Sequence, residues 1–128
     1  KPIRLLTSVP GIGVTTAATL MVELDDIVRF RNAAHLASFI GLVPMCHSSG
    51  ESNGTGDITV HRHFMLRSLL VEAAWVAIRK DPAMAVAYTE YRKRMNPQKS
   101  IIKIARRLVN RIYYVLKHEK EYIPCVVK

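Results

Sequence analysis

The fold of this chain of 128 residues is decided first by the stretch Leu5-Leu6-Thr7-Ser8-Val9-Pro10-Gly11-Ile12-Gly13. Proline at position 10 disfavours helix at the residue before it, and the two glycines permit a tight reversal of the backbone. Residues 3–8 before this bend are apolar on one side. Residues 14–24 after it carry apolar side chains three and four positions apart, namely Ala17, Leu20, Met21 and Leu24. The stretch therefore predicts a hairpin of two helices at about residues 3–25.

The bend in this hairpin has the composition of a phosphate-binding loop, and the hairpin is interpreted as a helix-hairpin-helix motif. Gly11 and Gly13 lack side chains, so their backbone can approach a phosphate closely. The free N–H groups of the following helix point at such an anion, and Thr15 or Thr16 can add a hydroxyl donor. Contacts of this kind position a protein on DNA without reading its sequence. The alternative is a helical turn used only for packing.

The remainder of the chain predicts four more helices. Asn32 can cap a helix that ends at Gly41, with Leu36, Phe39 and Ile40 facing inward. Residues 43–57 lose periodicity and are rich in Ser, Gly and Asn, which predicts a long loop. Long loops in compact domains are often functional.

The last three helices follow this loop. The first runs from about Val60 to Arg79, with a buried stripe and a tryptophan assigned to the core: Leu66, Leu69, Leu70, Ala73, Ala77 and Trp75. Asp81-Pro82 and Asn96-Pro97 are start signals for the next two. The last helix is predicted to end at about Lys117 and to bury Ile101, Ile104, Leu108, Ile112 and Val115. With no strand alternation, the prediction is an all-α fold, a helix-hairpin-helix followed by a small helical bundle.

The charge of the chain indicates a polyanionic partner. Lys and Arg number 19 against 10 acidic residues, which gives a net charge of +9. Nucleic acid is the first candidate for such a chain, although charge does not separate DNA from RNA. Lys99, Lys103 and Arg106 share one face of the last helix, where a polyanion would relieve their mutual repulsion. The alternative is a solvated, inert basic face.

Other site classes receive little support from the sequence. Cys46 and Cys125 have no spacing typical of a disulfide framework or a zinc site, and we expect both to be reduced. Neither the histidines at 61 and 63 nor the acids at 23, 25 and 26 make a metal site, so no metal is expected in this domain. No apolar run is long enough to cross a bilayer, which predicts a cytoplasmic protein without membrane contact.

The loop after Gly41 carries the residues most suited to chemistry. Its sequence reads Gly41-Leu42-Val43-Pro44-Met45-Cys46-His47-Ser48-Ser49-Gly50. A serine hydroxyl becomes a nucleophile only when a neighbour takes its proton or stabilises charge. Arg62, Arg67 and the hairpin amides could neutralise a phosphate under attack. From residue types alone, however, a Ser-Ser-Gly run is more often a turn.

Three blocks of sequence, in order along nearly the whole chain, carry a resemblance to a known family. They are Val9 to Gly13 with Thr16, Ala17 and Glu23; Phe39 to Pro44 with Ser49, Gly50 and Gly56; and Ile58-Thr59, Leu66-Arg67, Glu72-Ala73-Ala74 and Ile104-Ala105-Arg106. The chain resembles the C-terminal domain of the insertion-sequence transposases that carry a RuvC-like N-terminal domain, the bridge-RNA-guided recombinases.

This resemblance implies a role for Ser49 as the nucleophile that forms a phosphoserine link to a DNA end, with Ser48 as the neighbouring alternative. It implies that residues 1–128 are one domain of a longer bacterial protein that forms homo-oligomers, binds DNA and takes a guide RNA. A divalent metal, Mg²⁺, belongs to the separate acidic domain, so the isolated piece is expected to bind DNA without recombining it. The alternatives are a non-catalytic helix-hairpin-helix binding module and an assembly domain.

Overall fold

A computed structural model describes the backbone of residues 2–42 and 57–123, and the side chains of these residues apart from 57–63. The described helices are α1 (Pro2–Thr7), α2 (Val14–Leu24), a short 3₁₀ turn (Ile27–Arg29), α3 (Ala33–Ile40), α4 (Asp57–Lys80), α5 (Pro82–Arg92) and α6 (Pro97–His118). These two segments contain no strand, and the predicted all-α fold is confirmed. The predicted loop at 43–57 lies outside the described residues except for Asp57, which is the first residue of α4.

The predicted starts of α3, α5 and α6 are confirmed by capping hydrogen bonds, whereas α4 begins at Asp57, three residues before the predicted Val60. The side-chain oxygen of Asn32 accepts the N–H of His35 at 2.8 Å, and that of Asn96 accepts the N–H of Lys99 at 2.8 Å. Asp81 caps α5 in the same way, ahead of the proline that begins the helix. Such caps satisfy donors that the first helical turn leaves without partners.

The core is organised around α6, which contacts α1, α3, α4 and α5. The five α6 positions predicted to be buried are all buried, namely Ile101, Ile104, Leu108, Ile112 and Val115. An ion pair between Arg111 of α6 and the almost fully buried Asp81 ties this helix to the start of α5. One face of α6 is therefore fixed in the core, and its opposite face is left for polar and charged residues.

The assignment of Trp75 to the core is wrong. Its side chain is 37% exposed and packs edge-to-face against Tyr88 of α5, with ring centroids 5.7 Å apart. The buried stripe of α4 consists of Leu66, Leu70, Ala73, Ala74 and Ala77. Trp75 follows Ala74 and is rotated about 100° around the helix, which carries its ring to the edge of the α4–α5 contact. Leu69, also predicted to be buried, is half-buried.

Candidate nucleic-acid interface

An open groove of about 930 Å³ lies where the C-terminal end of α3 meets α4 and α6. Three helices form its walls because α3, α4 and α6 all pack against one another. It is lined by Ser38, Gly41, Leu42, Arg67, Met95, Gln98, Lys99, Ile102, Lys103 and Arg106. The groove therefore gathers four cations and no acidic residue among its described lining.

The four cations reach this groove from two helices. Lys99, Lys103 and Arg106 recur at intervals of four and three on α6, so they share one face of that helix. Arg67 comes from the facing part of α4. The sequence-based prediction that the three α6 cations share one face is confirmed, and the structure adds Arg67 as their neighbour across the groove.

The end of α3 does not neutralise this charge. Gly41 adopts the left-handed conformation, with φ of 90°, and its N–H donates to the carbonyls of Ala37 and Ser38. A helix C-terminus carries about half of a negative elementary charge, which resides on its terminal carbonyl groups. Here two of these carbonyls already accept the N–H of Gly41. That fraction is small beside four full positive charges, so the groove remains strongly cationic.

Arg106 differs from the other cations of the groove because it is only partly exposed. Its Nε atom is buried and has no hydrogen-bond partner among the residues that the structure describes. A buried donor without a partner costs roughly 1–3 kcal/mol, and more when the group is charged. Among the described residues, the guanidinium therefore has neither an acceptor for its Nε nor an acidic neighbour in the groove lining.

Arginines on the neighbouring faces of α6 have partners in the chain. Arg107 donates from Nε to the hydroxyl of Tyr91 at 3.0 Å. Arg111 pairs with Asp81 and lies over the ring of Tyr122, 4.4 Å from its centroid. These two arginines hold the bundle together, so the positive charge of α6 is divided between a structural face and the groove.

Basic residues elsewhere also contact groups of their own chain. Lys93 pairs with Glu90 at 3.2 Å, and Lys117 lies 5.9 Å from the centroid of the Tyr113 ring. Arg29 donates to the carbonyl of Leu24 at 2.8 Å and lies over the ring of Phe39. For the four groove cations, by contrast, no ion pair with any described residue is found.

The glycine-rich bend is only partly open to a ligand. Gly11 has a φ of +100°, and a Cβ placed on it would lie 2.7 Å from the carbonyl oxygen of Ala73 in α4. The requirement for glycine at this position therefore follows from packing within the chain. The role of Gly11 in phosphate contact stays a prediction.

Gly13, at the end of the bend, faces solvent. A Cβ on Gly13 would meet nothing within 4 Å, and Thr15 is exposed while Thr16 is half-buried. The first hydrogen bond of α2 runs from the N–H of Ala17 to the carbonyl of Gly13 at 2.9 Å. The N–H groups of residues 14–16 come before this bond and have no acceptor within the helix. These amides are the part of the hairpin that an anion can reach.

The hairpin and the groove contact different turns of α4. Gly11 lies against Ala73 and Ala77, whereas Arg67 lines the groove six residues earlier. Six residues of helix span about 9 Å. The structure therefore does not bring the predicted hairpin contacts and the groove cations together in one pocket.

The predicted nucleophile Ser49 and its neighbour Ser48 lie outside the described residues, as does the side chain of Arg62. Leu42, which is buried and lines the groove, is the last described residue before the segment that carries both serines.

Two polar residues that line the groove, Ser38 and Gln98, were not predicted from the sequence. Gln98 could have been found, because it lies four and eight residues before Ile102 and Arg106 and so shares their side of α6. Ser38 reaches the groove only through the packing of α3.

The described part of the chain contains no group of three or more His, Cys, Asp or Glu residues that could hold a metal ion. Asp26, one of the acids considered for such a site, instead accepts the N–H of Val28 and caps the 3₁₀ turn. Within the same residues, no helix combines the length and apolar character needed to span a membrane.

Comparison with known proteins gives a consistent result. Residues 3–89 match the family model described as Transposase IS116/IS110/IS902 family. The chain is 33% identical, over 88% of its length, to an uncharacterized 43.6 kDa protein of the insertion element IS110 from Streptomyces coelicolor. It is 34% identical, over 92% of its length, to the pilin gene-inverting protein of Moraxella bovis. It is 39% identical, over 56% of its length, to the transposase for insertion sequence element IS1111A of Coxiella burnetii.

These relatives are considerably longer than the chain. The aligned region covers 28% of the Streptomyces protein, 38% of the Moraxella protein and 20% of the Coxiella protein. No solved structure matches the chain. The chain therefore spans less than two fifths of the length of each of these relatives.

Proposed function

Since this chain belongs to the IS116/IS110/IS902 transposase family, we propose that it is the DNA-binding C-terminal domain of such a transposase. In this proposal the groove between α3, α4 and α6 binds the sugar–phosphate backbone. Ser49 supplies the nucleophile for strand exchange, and a guide RNA and further copies of the protein complete the assembly.

The observation that supports the proposal is the grouping of Arg67, Lys99, Lys103 and Arg106 around one groove without a described acid. Cations that neutralise phosphates release condensed counterions from DNA, which is the main sequence-independent source of affinity. Leu42 lines the same groove and leads along the chain towards Ser49. Ser49 follows Leu42 by seven positions in the sequence.

The chemistry proposed for Ser49 is transfer of a phosphoryl group from DNA to the protein. A bond forms between the serine oxygen and phosphorus while a bond between phosphorus and a deoxyribose oxygen breaks. A base takes the serine proton, and the released oxygen takes up a proton in turn. Cations near the phosphate stabilise the charge that develops on its other oxygens. A divalent metal would be held by the separate RuvC-like acidic domain, which supplies the carboxylates.

A pair of double variants tests the binding part of this proposal. Lys99→Gln with Lys103→Gln removes two groove charges, and we expect DNA affinity to fall at least tenfold at moderate salt because two phosphate contacts are lost. Lys117→Gln with Lys120→Gln removes the same net charge outside the groove lining. Fluorescence anisotropy with a labelled duplex measures both variants.

The matched control separates a local contact from a general effect of net charge. If the two double variants lose the same affinity, the groove is not the binding surface. If neither variant loses affinity, DNA binding by this domain is itself contradicted.

A second experiment tests the nucleophile in a complete transposase carrying this domain. We expect Ser49→Ala to abolish strand exchange while leaving DNA affinity within about twofold, because the hydroxyl is removed and the groove charges remain. Ser48→Ala is the matched control and retains exchange. An active Ser49→Ala protein would favour the alternative of a non-catalytic binding module.

A further inference from the structure

We infer that Arg106 recognises a phosphodiester through the planar edge of its guanidinium group, whereas Lys99 and Lys103 contribute charge alone. This inference rests on the proposed function, since it names the chemistry within the same groove. It makes Arg106 the residue that fixes the position of one phosphate against the wall of α6.

The first argument concerns the missing acceptor. The Nε atom of Arg106 is shielded from solvent and has no partner among the described residues, although the side chain lines the groove. In the described conformation neither water nor a ligand reaches this atom, so binding requires the partly exposed side chain to turn its Nε towards the groove. An acceptor that arrives with a ligand removes the cost of leaving a charged donor unpaired.

The second argument comes from the neighbouring arginines of the same helix. Arg107 uses its Nε on Tyr91, and Arg111 is paired with Asp81. The fold therefore supplies an acceptor for the guanidinium group of Arg107 and for that of Arg111. Of these three arginines, Arg106 is the one with a buried Nε that has no partner among the described residues.

The third argument concerns the chemistry of that group. No acid is found among the described residues that line the groove, and three further cations line it beside Arg106. An anion with two oxygens in one plane matches the guanidinium edge formed by Nε and one terminal nitrogen. The non-bridging oxygens of a phosphodiester have this arrangement, and a lysine ammonium cannot reproduce the two parallel hydrogen bonds.

Exchange of arginine and lysine in both directions tests the inference. Arg106→Lys keeps the charge and removes the planar edge, so duplex affinity should fall about tenfold with an unchanged dependence on salt. Lys103→Arg is the reciprocal control and should stay within twofold of the unsubstituted chain. Lys99→Gln should instead reduce the slope of log affinity against log salt by about 0.9.

A measurement on the unsubstituted chain covers the case in which Arg106→Lys fails to fold. On addition of a short duplex, the Nε–H signal of Arg106 in an NMR spectrum should shift. The Nε–H signal of Arg107 should stay unchanged because Tyr91 already holds it.

The outcomes are distinguishable. If Arg106→Lys binds as well as the unsubstituted chain while Lys99→Gln weakens binding, the inference fails and the proposed function stands. A lowered melting temperature with unchanged affinity would likewise overturn it, since the partner of Nε then lies within the chain. If no groove variant alters binding, the proposed function fails with it.

Discussion

At the scale of single residues, the two glycines of the bend have different functions although they lie two positions apart. Gly11 combines a φ of +100° with an approach to the backbone of Ala73 that a Cβ would block. Gly13 has a φ of −93° and lies against open space. The same residue type is thus required by packing at one position and is accessible to a ligand at the other.

We predict that Gly11→Ala lowers the free energy of unfolding by about 2–4 kcal/mol. The left-handed backbone is costly for a residue with a side chain, and the added methyl group would press on α4. Gly13→Ala is the matched control and should cost less than about 1 kcal/mol. Urea denaturation of both variants checks this order. Equal losses would show that the close approach to α4 is not needed for stability.

At the scale of secondary-structure elements, α6 combines structural and ligand-binding roles in one helix. Its buried face contacts four other helices, while the face that carries Lys99, Lys103 and Arg106 lines the groove. The first turn of α6 is held by the cap from Asn96 to the N–H of Lys99. The position of the groove lysine nearest the helix start therefore depends on this cap.

We predict that Asn96→Ala lowers the free energy of unfolding by about 1 kcal/mol, because the first turn of α6 loses its capping acceptor. Asn110→Ala, an exposed substitution within the same helix, should be neutral or slightly stabilising because alanine favours helix. Chemical denaturation gives the stabilities, and amide hydrogen exchange at residues 99 and 100 reports fraying. Unchanged exchange in Asn96→Ala would contradict the role of the cap.

At the scale of the whole molecule, the net charge of +9 is distributed unevenly. Arginines at 29, 107 and 111 have partners within the chain, whereas four cations converge on the groove. Long-range attraction to a polyanion arises from the total charge. The strength of the bound state depends on the groove, where cations and phosphates can come into contact.

We predict that DNA affinity decreases steeply with salt. Four groove cations that each contact a phosphate give a slope of about −3.6 for log affinity against log salt, which is about a 150-fold loss between 50 and 200 mM. Anisotropy titrations across this range measure the slope. Binding that does not respond to salt would favour the assembly role over the nucleic-acid role.

Much of the fold followed from local patterns. Asn32, Asp81 and Asn96 marked helix starts correctly because a cap is a contact within three residues. The buried positions of α6 were predictable from their spacing. Trp75 was assigned wrongly because periodicity gives the angle around a helix and does not show where the neighbouring helix ends.

The sequence by itself determined an all-helical chain, its caps, the amphipathic α6 and an excess of positive charge, since each depends on residue type and short spacing. Only the tertiary structure decided that Gly11 packs on α4, that Arg107 and Arg111 have partners within the chain, and that Arg67 joins the α6 cations in one groove. These contacts join residues far apart in the chain. They exist only once the helices have packed, and no local pattern encodes which of several equivalent cations will face a neighbour.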